Sequence, residues 1–127
     1  MSNSQRYLLD TNIFLWSLDE KNKLKDYVRK ILEDPTITVI VSTATFWEIS
    51  IKDKTGKLPL KTNLRNCLEK SSFEILNIDM NHIIQLDKLP PIHKDPFDRI
   101  LIAQAKSENL TLITTDAKIK KYDVKVL

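Results

Sequence analysis

The sequence predicts an α/β fold, a three-layer α/β/α sandwich around a central, mainly parallel sheet of about five strands. Three observations point there. Short β-branched apolar runs alternate along the chain with segments of helical period. Strands separated by helices require crossover connections, and crossovers make parallel sheets covered on both faces. A chain of 127 residues, 42% hydrophobic and 29% charged, is long enough to bury such a core as one domain spanning 1–127.

Each element has its own signal. Tyr7-Leu8-Leu9 is a short apolar run ending in Asp10. Asn12 to Leu18 then reads as helix, carrying Ile13, Phe14, Leu15, Trp16 and Leu18. A second helix is expected from Leu24 to Glu33, with Leu24, Tyr27, Val28, Ile31 and Leu32 at helical spacing, stopped by Asp34-Pro35. Thr38 to Val41 is β-branched and reads as a buried strand. Ser42 or Thr43 caps a helix reaching Lys54, and Gly56 stands where a left-handed cap residue belongs. Thr62 to Lys70 reads as helix, Phe73 to Ile78 as strand and Asn81 to Lys88 as a short helix. After Pro90-Pro91, Asp95-Pro96-Phe97-Asp98 opens a helix to Glu108 with proline in its first turn. Leu110 to Ile113 is the fourth strand, Asp116 to Lys121 a turn of helix, and Val124 to Val126 the fifth strand.

Composition excludes several function classes. The single glycine, Gly56, cannot build a P-loop or a dinucleotide fingerprint, both of which need several glycines for backbone to approach phosphate. The single cysteine, Cys67, makes neither an internal disulfide nor a cysteine zinc site, and reads as a small apolar filler. Met1 to Tyr7 is short and polar, and no apolar stretch reaches the roughly 20 residues of a spanning helix, so a cytoplasmic protein without membrane association is expected. The formal charge of +3 permits a nucleic-acid partner without requiring one. Lys52, Lys54, Lys57, Lys61 and Arg65 form one basic set, and Arg99, Lys118, Lys120, Lys121 and Lys125 another. Either could contact phosphate, although a solvated face is the ordinary role of scattered lysines. Trp16, Phe46 and Trp47 are as compatible with core as with base stacking.

The chemistry lies in the carboxylates. Ligands of open parallel sheets bind beyond the carboxyl ends of the strands. Asp10 follows the first strand and Asp116 the fourth. Glu48 sits in the first turns of the helix after the second strand. Asp98 opens the helix that feeds the fourth strand, and so returns to the same edge. Singly, each has an ordinary reading: Asp10, Asp95 and Asp116 as helix caps, Asp98 as a capping-box partner, Glu48 as the partner of Lys52 one turn on. Those readings predict no convergence. Two carboxylates about 5 Å apart repel by roughly 3 kcal/mol at an effective dielectric near 20, so a cluster needs raised pKa values, basic neighbours or a cation. With no His–Cys set, an oxygen-only site suits Mg²⁺ or Mn²⁺. His93 is close in sequence to Asp95 and Asp98, and His82 and His93 both lack a nucleophile signature; His93 reads as a loop histidine near the site.

At these residues the chain resembles the PIN domain family, and within it the VapC-type toxins of toxin–antitoxin pairs. Four blocks carry the resemblance: Leu8-Leu9-Asp10-Thr11-Asn12; Ser42 through Lys52 with Gly56-Lys57-Leu58; His93 through Arg99 with Leu101 to Ala105; and Leu112 through Asp116. The third is the most specific. The resemblance implies a divalent-metal-dependent endoribonuclease using Mg²⁺ or Mn²⁺, with RNA as substrate, a homodimer, and a small antitoxin partner that occludes the site. It implies Asp10, Glu48, Asp98 and Asp116 as the catalytic and metal-holding acids, with Glu48 ligating or orienting the attacking water. It implies Thr11 as the hydroxyl that orients a carboxylate or water beside Asp10. A housekeeping nuclease in RNA processing and a non-catalytic interaction module are the competing readings. A phosphohydrolase with Asp10 as nucleophile would ordinarily want a second acid where Asn12 stands.

Overall fold

The computed structural model describes residues 5–58 and 62–127. Met1 to Ser4, and Lys61 of the first basic set, lie outside them. Four strands form one parallel sheet: β1 (Arg6–Leu9), β2 (Thr38–Ser42), β3 (Glu74–Leu76) and β4 (Thr111–Ile113), in the order β3-β2-β1-β4. Helices α1 (Thr11–Asp19) and α2 (Asp26–Glu33), with a 3-10 turn between them, connect β1 to β2. Helices α3 (Thr43–Lys54) and α4 (Leu64–Lys70) connect β2 to β3, and α5 (Met80–Asp87) and α6 (Pro96–Glu108) connect β3 to β4. The chain winds outward from β1 to β3, then reverses and places β4 on the other side of β1. That reversal opens a crevice between the carboxyl ends of β1 and β4, where open α/β sheets bind ligands.

Register sorts the core into two layers. Leu8 pairs with Ile40 on one side and Leu112 on the other, and all three face α6 through Ile100, Leu101 and Ile102. Their neighbours Tyr7, Leu9, Val39, Val41 and Ile113 face the opposite way, against Ile13 and Phe14 of α1, Val28 of α2 and Cys67 of α4. Alternation of period two therefore fills both faces, as a doubly covered parallel sheet demands. Cys67 is fully buried, the apolar filler expected of it.

Helix limits follow their caps. Asp10 caps α1 through the Ile13 amide, and Ser42 caps α3 through the Ala44 amide. Asp95 caps α6 through the amides of Phe97 and Asp98, with Pro96 in the first turn. Asn109, at φ 56, ends α6 in the left-handed conformation. The second helix starts at Asp26, later than its periodicity suggests, because Leu24 is buried in extended backbone ahead of it. The expected fifth strand is a correction: Val126 forms a single parallel bridge to Leu112, so among the described residues the sheet has four strands. Edge β3 is also shorter than its apolar run, because only Ile40 to Ser42 of β2 pair with it. Among the described residues no helix is long and apolar enough to cross a membrane.

Gly56 follows α3 at φ 69, and a Cβ there would meet nothing within 4 Å. The cost of a side chain is thus conformational alone. Gly56→Ala is expected to lower unfolding free energy by about 1 kcal/mol, as read by urea denaturation. A loss near zero would mean the left-handed conformation relaxes freely.

Candidate active site

Four acids converge on the crevice. Asp10 leaves β1, and its position is fixed twice. One oxygen caps α1 by accepting from the Ile13 amide at 2.9 Å, and the other accepts a short hydrogen bond from the Thr114 hydroxyl. The Thr114 hydroxyl in turn accepts from the Asp116 amide at 3.0 Å. Glu48 projects from α3 and is 5% exposed. Its Oε1 accepts from the Thr11 hydroxyl at 2.5 Å, and its Oε2 faces Lys52 Nζ at 2.7 Å. Asp98, in the first turn of α6, and Asp116, after β4, both reach His93 Nε2 at 2.9 Å. A continuous chain of contacts therefore runs from Glu48 through Thr11 to Asp10, Thr114, Asp116, His93 and Asp98. The resulting cleft, about 250 Å³, is lined by Asp10, Glu48, Asp98 and Asp116 with Lys52 and Asp95.

Part of the ordinary reading of these acids stands beside their convergence. Asp10 and Asp95 are helix caps, and Glu48 does pair with Lys52. A solvated surface pair is nevertheless excluded for Glu48 by its burial. Asp116 does not cap a helix; it turns the backbone by accepting from the Lys118 amide at 2.8 Å.

The electrostatics follow from burial. Asp10 is pushed up from 3.8 to about 6 by loss of solvent, with the charges of Asp116 and Glu48 adding and its two hydrogen bonds opposing. Asp98 is pushed up to about 7, first by burial, then by the negative charge of Asp95, against the pull of His93. Burial also acts on Asp116, but its hydrogen bonds from His93 and the Lys118 amide outweigh it and hold the carboxyl below its ordinary value. The cluster thus carries more negative charge than its neighbours neutralise. Four carboxylates offering oxygen, two of them reluctant to ionise, are a donor set that fits a hard divalent cation.

Several participants were not assigned from sequence. Thr114 stands in the fourth sequence block with no role assigned to it, and only the pairing of β1 with β4 brings it to Asp10. His93 does line the cluster, more intimately than a loop histidine near it, and its nearness to Asp95 and Asp98 was the available signal. Arg99 leaves the basic set: its guanidinium binds the Pro90 and His93 carbonyls and the Tyr122 hydroxyl, so it builds the loop before α6. Trp47 turns out to be 59% exposed, edge-to-face with Phe97.

The profile of the PIN domain family matches residues 7–125. The chain belongs to the PIN domain family. Proteins of this family are generally nucleases that use divalent metals. No curated protein sequence gives a significant match. Among solved structures, this PIN domain resembles VapBC2 from Rickettsia felis bound to a promoter DNA fragment, with TM-score 0.74, 20% identity, and 97% of this chain and 98% of that chain covered. It resembles DNA-bound VapBC from Salmonella typhimurium with TM-score 0.71 and 17% identity over 97% of each chain. It resembles VapBC-1 from nontypeable Haemophilus influenzae with TM-score 0.65 and 19% identity, again over 97% of each chain. At these identities the likeness establishes a shared fold.

The raised carboxyls carry a sign. The native Asp98 carboxyl near 7 holds a proton that the unfolded carboxyl releases near 3.8, so metal-free stability falls as pH rises between those values. Asp98→Asn removes that penalty. In chelator at pH 7.5 its Tm should exceed wild type by about 3 °C or more, the gain shrinking at pH 5 and vanishing at about pH 4. Differential scanning calorimetry reads this directly, and a lower Tm at pH 7.5 would mean that Asp98 stabilises the fold.

Proposed function

We propose that this chain is a divalent-metal-dependent endoribonuclease acting as the toxin of a toxin–antitoxin pair. The observation that carries the reading is the meeting of Asp10, Glu48, Asp98 and Asp116 in one partly desolvated cleft at the reversal of the sheet. Asp10, Asp98 and Asp116 would hold Mg²⁺ or Mn²⁺, with Glu48 beside them. Once bound, the cation supplies charge neutralisation for phosphate and lowers the pKa of water. The chain's own groups do the rest. Thr11 holds Glu48 Oε1, leaving that carboxylate oriented to accept a hydrogen bond from the attacking water. Asp10 cannot swing away, because both its oxygens are tied. Lys52 is the one basic side chain on the cleft wall among the described residues, and it draws the phosphate toward the acids. RNA is the proposed substrate, with 5′-phosphate and 3′-hydroxyl products.

The toxin assignment is supported by the four sequence blocks and by relatives of the same fold that were crystallised as toxin–antitoxin complexes. It carries with it a small antitoxin partner, a homodimer and a cytoplasmic site of action. A housekeeping nuclease would share the same cleft, and growth arrest relieved by co-expression of the neighbouring gene separates the two. The catalytic test is cleavage of RNA by purified protein in Mg²⁺ or Mn²⁺. Asp10→Asn and Asp98→Asn should each reduce cleavage by about 100-fold or more while circular dichroism stays native. Folded variants that still cut would remove Asp10 and Asp98 from catalysis, and a folded wild type that cuts no RNA in either metal would leave the acids as structural caps and the chain an interaction module.

A further inference from the structure

We propose that His93 is a positioning residue that holds Asp116 by a hydrogen bond from Nε2–H and stands against Asp98, and that it is not itself a metal ligand. The inference rests on the metal-binding reading of the cleft and adds to it a residue outside the acidic quartet. His93 Nε2 lies 2.9 Å from an oxygen of each carboxylate, one on α6 and one after β4. These two acids come from different elements, and His93, Asp98 and Asp116 offer atoms within 4.8 Å of one another, so the ring could serve either as a ligand or as a brace.

The ring's proton is assigned by its other nitrogen. The Asp95 amide donates to His93 Nδ1 at 3.3 Å. An amide N–H needs an acceptor, so Nδ1 carries no proton and Nε2 carries it. A protonated Nε2 has no lone pair for a metal. Becoming a ligand would require moving the proton to Nδ1 and breaking the bond to the Asp95 amide. Nε2–H is instead donated to Asp116, with Asp98 in contact at 2.9 Å, where it offsets part of their repulsion.

The loop that carries the ring is built to hold it. Tyr122 is 5% exposed, and its hydroxyl accepts from the His93 amide at 2.7 Å and the Ile92 amide at 3.1 Å while donating to the Pro90 carbonyl at 2.9 Å. Arg99 binds the same hydroxyl and the Pro90 carbonyl. The imidazole is therefore fixed at its backbone, at Nδ1 and at Nε2. Groups that hydrogen-bond metal-holding carboxylates set their spacing, and their loss typically weakens metal binding by about 10- to 100-fold.

Two measurements test this on the whole chain. In metal-free protein, long-range ¹⁵N–¹H correlation spectra, assigned by loss of the signal in His93→Gln, should show the Nε2–H tautomer. Mn²⁺ titration by calorimetry should then give His93→Phe and His93→Ala an affinity about 10- to 100-fold below wild type. His93→Gln, whose amide can still donate to Asp116, should recover most of it. The EPR of the bound Mn²⁺ should carry no imidazole ¹⁴N coupling. The proposal fails if the tautomer is Nδ1–H, if ¹⁴N coupling appears, or if the folded Phe and Ala variants bind Mn²⁺ as wild type does. Should Phe and Ala not fold, the tautomer and the EPR of wild type still decide. A wild type that takes up no Mn²⁺ overturns the metal reading together with this one, whereas normal uptake by the variants overturns this one alone.

Discussion

The hydroxyl of Thr114 donates to Asp10 and accepts from the amide of Asp116, and the site depends on that one oxygen. It joins the ends of β1 and β4, the two strands between which the chain reverses. Acids brought together there repel one another, and burial in the crevice makes the repulsion worse. The protein answers with single donors placed one by one: Thr11 to Glu48, Ile13 and Thr114 to Asp10, His93 to Asp116. Lys52 at Glu48 adds a full counter-charge. The cluster is oriented without being neutralised, which is the condition a cation-binding site requires.

Capping and catalysis are not rival uses of these side chains. Asp10 satisfies the first turn of α1 with one oxygen and closes onto β4 with the other. Asp95 caps α6 and thereby fixes where Asp98 emerges, while its negative charge helps push the Asp98 carboxyl upward. Helix starts are natural places for carboxylates, since exposed amides favour negative charge there. A parallel sheet sets several helix starts along one edge. The fold thus concentrates acids by the same local rule that begins each helix.

Much of this was legible in the residues. The apolar run Tyr7-Leu8-Leu9, the β-branched run Thr38 to Val41, and the Asp95-Pro96 start of α6 located the sheet and the site's edge. The direction of the crossovers placed Asp98 on the same edge as Asp10. Less was legible where pairing across the sheet decides. Val124 to Val126 looks like a strand by composition, yet only Val126 finds a partner, in Leu112. Thr114 lies in the block Leu112 to Asp116, but it owes its role to a residue 104 positions away, which no local pattern tells. Arg99 looks like a phosphate contact until the loop of Pro90 to His93 folds around its guanidinium. Trp47 lies on an apolar stretch of α3, and helical phase alone does not tell that its ring faces outward.

The segment after β4 has a further consequence. Lys125 and Leu127 make the backbone bonds to Leu112 that follow the sheet's edge, and Tyr122 anchors the loop of His93 from the same segment. Ile119 and Tyr122 are buried in the same core layer as Leu8 and Ile102, with Val124 and Val126 packed against it. The tail is thus a prop of the site and a wall of the core at once, and loosening it would disturb the carboxylate cluster and the apolar layer together. Amide exchange should therefore find the machinery in the same protected unit as the scaffold.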